Sequence, residues 1–421
     1  MNKKTIAIHH GYNKDSNMTM AVPIYQTTAY EFDSAEQAAN RFSLKELGNI
    51  YTRLANPTSN VLEERIASLE GGVAGIATAS GQSAIFYALA NVAEAGDNIV
   101  CARQLYGGSL TLTAHTFKRF GIEARFFDVQ NPDSMEDLID DKTKVIFFES
   151  LTNPSIDVAD IEAITTIANK HGILTVVDNT VATPVLCRPF EFGADITVHS
   201  ASKYTTGQGL AIGGILVERK GLVEKLKGNP RYAHFNEPDA SYHGLVYVDV
   251  PLPPFTLRTR LSLLRDIGAV SSPFNSWLFI QGLEHLSLRM REHSKNALAL
   301  AEFLESHPKV KKVNYPGLKS NSNYEMAQKY FDGGACSGLL SFEVDSLEEA
   351  TKIVDATELY SLVVNIGDSK SIITHPASTT HQQLSPAELI ACGVPSGLIR
   401  ISCGLESVKD LIVDIKQALE V

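Results

Sequence analysis

Between residues 60 and 220, short apolar, β-branched runs alternate with amphipathic stretches. The runs are "AGIATA", "NIVCA", "EARFFDV", "KVIFFES", "LTVVDNT", "DITVHS" and "GGILVE". Between them lie helix patterns such as "SAIFYALANVAEAG", "LTLTAHTFKRFG" and "IEAITTIANKHG". This alternation predicts an α/β body with a mostly parallel sheet. Several runs are apolar throughout, as expected when helices cover both sheet faces. In such sheets ligands bind at the carboxyl ends of the strands, so chemistry should be sought there. There is no tandem repeat and no low-complexity segment.

The rest of the chain divides around this body. Residues 1–56 are polar and loop-rich, with one candidate helix, "SAEQAANRFSLKEL"; an arm with so little core should pack on another body. Residues 57–265 form the large domain. Within it, residues 228–258 are rich in Pro, Asn and aromatics and read as a long surface excursion. A long helix pattern over residues 272–308 leads into a smaller C-terminal α/β domain, residues 266–421, where "ACSGLLSFEV" and "GLIRISCG" read as antiparallel strands. A chain of 421 residues is too long for one core. Its net charge of −11 gives no global attraction to nucleic acid or anionic membranes, so any anion site must be built locally. The five cysteines (101, 187, 336, 392 and 403) are odd in number and form no CxxC, which fits a reducing cytoplasm and argues against a disulfide framework or structural zinc. The start "MNKKTIAIHHGYNKD" has no apolar core of signal-peptide length and no apolar run reaches transmembrane length, so a soluble cytoplasmic protein is expected.

The strand ends carry the informative residues. "LTVVD" ends on Asp178, "DITVHSAS" runs into Lys203, "KVIFFES" leads to Asn153, and "GIATASGQS" turns through Gly81 into a helix. A lone lysine there is usually solvated surface, a lone aspartate a cap or turn residue, and "ASGQSA" an ordinary turn. Together at consecutive strand ends they are harder to dismiss. A helix N-terminus with glycine and hydroxyl neighbours is an anion site. A dinucleotide fold is disfavoured: "GQGLAIGG" has Ile212 at the third glycine position and precedes a strand. No clustered metal-ligand spacing appears, and His375 and His381 in "HPASTTH" read as loop residues.

Lysine, aspartate and phosphate cradle together suit pyridoxal 5′-phosphate. The lysine amine condenses with the aldehyde, and the aspartate keeps the pyridine nitrogen protonated so the ring can act as an electron sink. "QLYGGS" supplies Tyr106, at the same sheet mouth, to stack on the ring.

These residues resemble the signature of the Cys/Met-metabolism family of pyridoxal-phosphate enzymes, whose fold is the aspartate-aminotransferase type (fold type I). "VVDNT…HSASKY", "YTRLANPT", "ASGQSAI", "YGGS", "TNP", "GLEHLSLRMREH", "HPASTTH" and "LIRISCGLE" resemble family blocks in the family's order, over essentially the whole chain. The resemblance implies that Lys203 carries the cofactor and shuttles protons, Asp178 pairs with the pyridinium and Tyr106 stacks. It implies that Asn153 bonds the ring hydroxyl, and that Gly81, Gln82, Ser200 and Ser202 bind phosphate. Tyr51 and Arg53 are expected to reach the phosphate of a neighbouring subunit, in a homodimer or a dimer of dimers. Arg400 would grip the substrate α-carboxylate in a bidentate pair, assisted by Asn365.

Within the family, the insert "EPDASYHGLVY" and the stretch "NIGDSKSIITHPASTTHQQL" resemble those of O-acetylhomoserine sulfhydrylases. Methionine γ-lyases typically carry cysteine two places after the stacking tyrosine, where this chain has Gly108. The resemblance therefore implies γ-replacement: Lys203 moves the Cα proton, acetate leaves Cγ of O-acetylhomoserine, and sulfide or a thiol adds there, giving homocysteine. Tyr106 is a candidate to assist the leaving group. The alternatives are a methionine or cystathionine γ-lyase, a cystathionine γ-synthase and, in a different class, a non-catalytic phosphate-ligand binder. The sulfur donor and the choice of acetyl or succinyl activation stay open.

Overall fold

A computed structural model describes residues 1–379, 382, 389 and 393–421. His381 and Cys392 lie outside the described residues.

The seven apolar runs all form strands: β1 (Gly72–Thr78), β2 (Asn98–Ala102), β3 (Glu123–Phe127), β4 (Thr143–Glu149), β5 (Leu174–Asp178), β6 (Ile196–Ser200) and β7 (Gly214–Arg219). They make one sheet in the order β1-β7-β6-β5-β4-β2-β3. The strands from β3 across to β6 run parallel, while β7 is antiparallel to both of its neighbours. Central residues such as Val100, Phe147, Phe148, Val176 and Val177 are fully buried, because helices pack on both faces. After β2 the chain moves outward to β3, and then returns to the other side of β2 as β4. This reversal opens a crevice at the carboxyl ends of β2 and β4.

A second, five-stranded sheet comprises β8 (Lys312–Asn314), β9 (Leu339–Glu343), β10 (Ser361–Leu362), β11 (Ile372–Thr374) and β12 (Leu398–Ser402). Its order is β10-β11-β12-β9-β8, antiparallel except between β10 and β11. The two C-terminal strands expected from sequence are β9 and β12, paired directly.

Three local expectations are corrected. Residues 228–258 are a surface excursion only in their middle, where none of residues 236–246 is buried; towards either end Tyr232, Phe235, Tyr247 and Phe255 are fully buried. The Tyr232 hydroxyl donates to the Lys144 carbonyl and accepts from the Leu174 N–H, so the segment is tied to β4 and β5. Its aromatic content marks core packing. The long helix pattern is two helices, Pro273–Glu284 and Leu286–Glu305, broken at His285. The arm contains a second helix, Lys3–His9, capped by Asn2, which buries Ile6 and Ala7. The arm helix expected from sequence spans only Ala35–Phe42 and buries none of its residues. Among the described residues, no helix is long and apolar enough to cross a membrane.

Candidate active site

One cavity of about 260 Å³ opens at the carboxyl ends of the central strands. Its wall includes Gly81, Gln82, Tyr106, Asn153, Asp178, Ser200, Ser202, Lys203, Asn365 and Arg400. Most residues singled out from sequence therefore converge, although they come from both sheets.

The phosphate end is built by the helix Gly81–Ala90. Ser80 and Ser83 form a reciprocal capping box, each hydroxyl accepting from the other's backbone N–H. The N–H groups of Gly81 and Gln82, at the first two helical positions, are left to the cavity they line. The Ser202 hydroxyl donates to the Gly213 carbonyl and accepts the Gly213 N–H, so it also clamps the loop that follows the lysine. That loop approaches closely: a Cβ on Gly214 would lie 2.1 Å from the Ser80 carbonyl oxygen. The glycines after Lys203 thus let β7 pass against the strand–helix turn.

Lys203 sits in a π-turn, Ala201–Thr205, with non-helical φ −96° and ψ −126°. Its Nζ donates to Asn365 Oδ1 at 2.7 Å. Burial, and secondarily the Arg400 charge, lower its pKa to about 8. An amine so tuned keeps a useful neutral fraction near physiological pH, far larger than a solvated lysine has, and can act as nucleophile or base.

Asp178 Oδ1 accepts from the Thr180 N–H at 2.9 Å and from the Thr180 hydroxyl at 2.5 Å. The same hydroxyl accepts the Ser200 N–H, tying the end of β6 to the aspartate. Burial nevertheless raises the Asp178 pKa. Directly beside it in register stands Glu149, the last residue of β4. Its two oxygens accept the N–H groups of Tyr106 (2.6 Å) and Asn153 (3.1 Å). Burial first, and then Asp178, raise its pKa well above the ordinary carboxylate value. The sequence reading missed Glu149 and Thr180. Glu149 carries the same signal as Asp178, a charged residue closing an apolar strand.

Arg400, on β12, is buried; its Nη1 donates to Asn153 Oδ1 and its Nη2 to the Asn365 carbonyl, both at 3.1 Å. Its Nε is buried without a partner among the described residues. Burial lowers its pKa to about 10. Tyr106 is partly exposed at the rim of the cavity, and a Cβ on Gly108 would lie 2.6 Å from Tyr106 Cε1. Tyr51 and Arg53 are exposed, with the guanidinium 5.3 Å from the tyrosine ring, and they do not line this cavity. His375 is buried and bonded to Ser378 and the Ser396 carbonyl, a loop-fixing role. Four cysteines (101, 187, 336 and 403) are free and buried.

The residues present fit pyridoxal phosphate. Two neighbouring carboxyl groups, both disfavoured as anions, leave a place for a cationic ring nitrogen beside Asp178. Free helix N–H groups suit a phosphate, a lysine with a lowered pKa suits an aldehyde, and the orphaned Arg400 Nε suits a carboxylate.

Comparison with known proteins agrees with this geometry. Residues 4–420 match the family model described as Cys/Met metabolism PLP-dependent enzyme. The O-acetyl-L-homoserine sulfhydrylase of Leptospira meyeri is 47% identical, over 99% of this chain and 96% of its own length. The homocysteine/cysteine synthase of Saccharomyces cerevisiae is 43% identical, over 99% and 97%. Among solved structures, a candidate O-acetylhomoserine (thiol)-lyase from Campylobacter jejuni, containing a pyridoxyl-lysine monophosphate, is 55% identical. It superposes with TM-score 0.99 over the whole of both chains.

Proposed function

The chain belongs to the Cys/Met metabolism PLP-dependent enzyme family, and from that premise we propose that it catalyses γ-replacement on O-acetyl-L-homoserine. The acetate at Cγ is exchanged for a sulfur nucleophile, giving L-homocysteine. The observation that carries the reading is the convergence of Lys203, Asp178 and Arg400 on one cavity, in a chain 41–47% identical to sulfhydrylases over nearly its full length.

Bound pyridoxal phosphate supplies the sink for the electron pair left when a substrate C–H bond breaks. Asp178, oriented by Thr180, holds the proton on the ring nitrogen. Gly81, Gln82 and Ser200 bind the phosphate, and Ser202 binds it while fixing the following loop. Tyr106 stacks on the ring, its backbone anchored by Glu149. Asn153 bonds the ring hydroxyl and Arg400. Arg400, steadied by Asn153 and Asn365, grips the α-carboxylate and so orients the Cα–H bond. Lys203, released beside the reacting carbons, takes the proton from Cα and serves the later transfers.

Tyr51 and Arg53, exposed on the arm, complete the phosphate site of a second copy in a homodimer or a dimer of dimers. The four buried free cysteines suit a reducing cytoplasm. The test is direct. Enzyme, O-acetyl-L-homoserine and sulfide should yield homocysteine and acetate. Rapid formation of 2-oxobutanoate from methionine, without homocysteine synthesis from the first mixture, would make the protein a γ-lyase instead.

A further inference from the structure

Arg289, in the helix Leu286–Glu305, is buried, yet no carboxylate among the described residues pairs with it. Its guanidinium is held by backbone carbonyls alone. Nη1 donates to the Tyr204 carbonyl at 2.7 Å; Nη2 donates to the carbonyls of Thr205 (3.2 Å) and Gly282 (2.7 Å). An unpaired buried cation is costly, and burial lowers its pKa to about 10. A neutral residue of similar size would avoid that cost.

Two of the three carbonyls it holds are those of the residues directly after Lys203. The lysine has left the helical basin, so its backbone orientation, and with it the direction in which its side chain departs, depends on how the turn around it is held. The Lys203 carbonyl is taken by the Gly207 N–H at 2.9 Å, and the Gly207 carbonyl by the N–H and hydroxyl of Ser369. Gly207 is left-handed (φ +72°), and a Cβ there would lie 2.2 Å from Arg289 Nη1. On the other side, a Cβ on Gly282 would lie 2.0 Å from the Thr205 carbonyl oxygen. The guanidinium thus fastens the lysine turn to the last turn of the helix Pro273–Glu284, at the break where that helix gives way to Arg289's own.

We infer that Arg289 is a positioning residue for Lys203: it fixes the peptide planes that follow the lysine and so aims the amine at the reacting atoms. The inference rests on the assignment of Lys203 as the cofactor lysine.

The test uses Arg289→Met, Arg289→Lys and Gly207→Ala in the full chain loaded with pyridoxal phosphate. Three quantities are measured: the pH midpoint of the cofactor absorbance, kcat and KM for O-acetylhomoserine with sulfide, and the thermal midpoint. Arg289→Met should lower kcat roughly 10- to 100-fold, the scale expected when a reacting group is misplaced by about an ångström, and leave KM nearly unchanged. It should also move the absorbance midpoint. Arg289→Lys should recover much of both, and Gly207→Ala, which crowds the guanidinium without removing it, should show the same two signatures. A lowered thermal midpoint with unchanged kcat and absorbance titration would overturn the inference and leave a purely structural cap. If Arg289→Met fails to fold, the other two variants decide by the same criteria. A wild type without sulfhydrylase activity refutes the proposed function but not this inference, because the absorbance titration needs no substrate.

Discussion

The lysine's environment makes a quantitative prediction about cofactor capture. The nucleophile is the neutral amine, and Lys203 has its pKa lowered from 10.5 to about 8. At pH 7 about one lysine in eleven is then neutral, against roughly one in three thousand for a solvated lysine, an advantage of about 300-fold. The assay is the rate at which apoenzyme captures pyridoxal phosphate, followed by absorbance between pH 6.5 and 10.5. The rate should rise with a midpoint near 8 and level off above 9. Burial is the larger cause and the Arg400 charge the smaller. Arg400→Leu should therefore raise the midpoint while leaving it below 10.5. Stability follows the same linkage. Between pH 8 and 10.5 the unfolded chain binds more protons at this lysine than the folded one. Its contribution to stability should therefore rise with pH across that window and be absent in Lys203→Met. A capture midpoint near 10.5 in wild type, or one that falls in Arg400→Leu, would refute the reasoning.

Three further substitutions test separate parts of the site. Asp178→Asn keeps the shape but cannot hold the ring proton; turnover should fall by about 100-fold or more while cofactor still binds, measured by kcat and absorbance. Arg400→Lys replaces a forked donor with a point charge and should raise KM for the amino acid roughly 10-fold or more, with a smaller effect on kcat. Gly108→Ala puts a methyl 2.6 Å from the Tyr106 ring; the ring must shift, so cofactor affinity measured by equilibrium titration should weaken.

The seven strands of the large sheet and the residues at their ends were legible in sequence. Apolar periodicity is local, and a charged residue closing a buried strand has few places to go except a strand-end site. Lys203, Asp178 and the glycine–serine turn at 79–83 follow from that rule. Glu149 obeys it too, closing β4 as Asp178 closes β5. The buried ends of the aromatic segment 228–258 are not legible, because Pro and Asn mark turns, whereas whether a turn-rich stretch lies outside or inside depends on what covers it. Arg400 was found only through its resemblance to a family block, since nothing local distinguishes it from a surface arginine.

What the sequence by itself determined was the order of strands and helices, the strand ends that carry chemistry, and the family. What only the tertiary structure decided was how distant segments close on one another. The Arg400–Asn153 bond spans 247 residues and the Lys203–Asn365 bond 162. Arg289, 85 residues from the Tyr204 carbonyl, sits in a helix whose local pattern gives no hint of the lysine turn. Such contacts are fixed by how helices, turns and strands distant in sequence pack together, and packing depends on shapes that a linear pattern of apolar and polar residues does not encode.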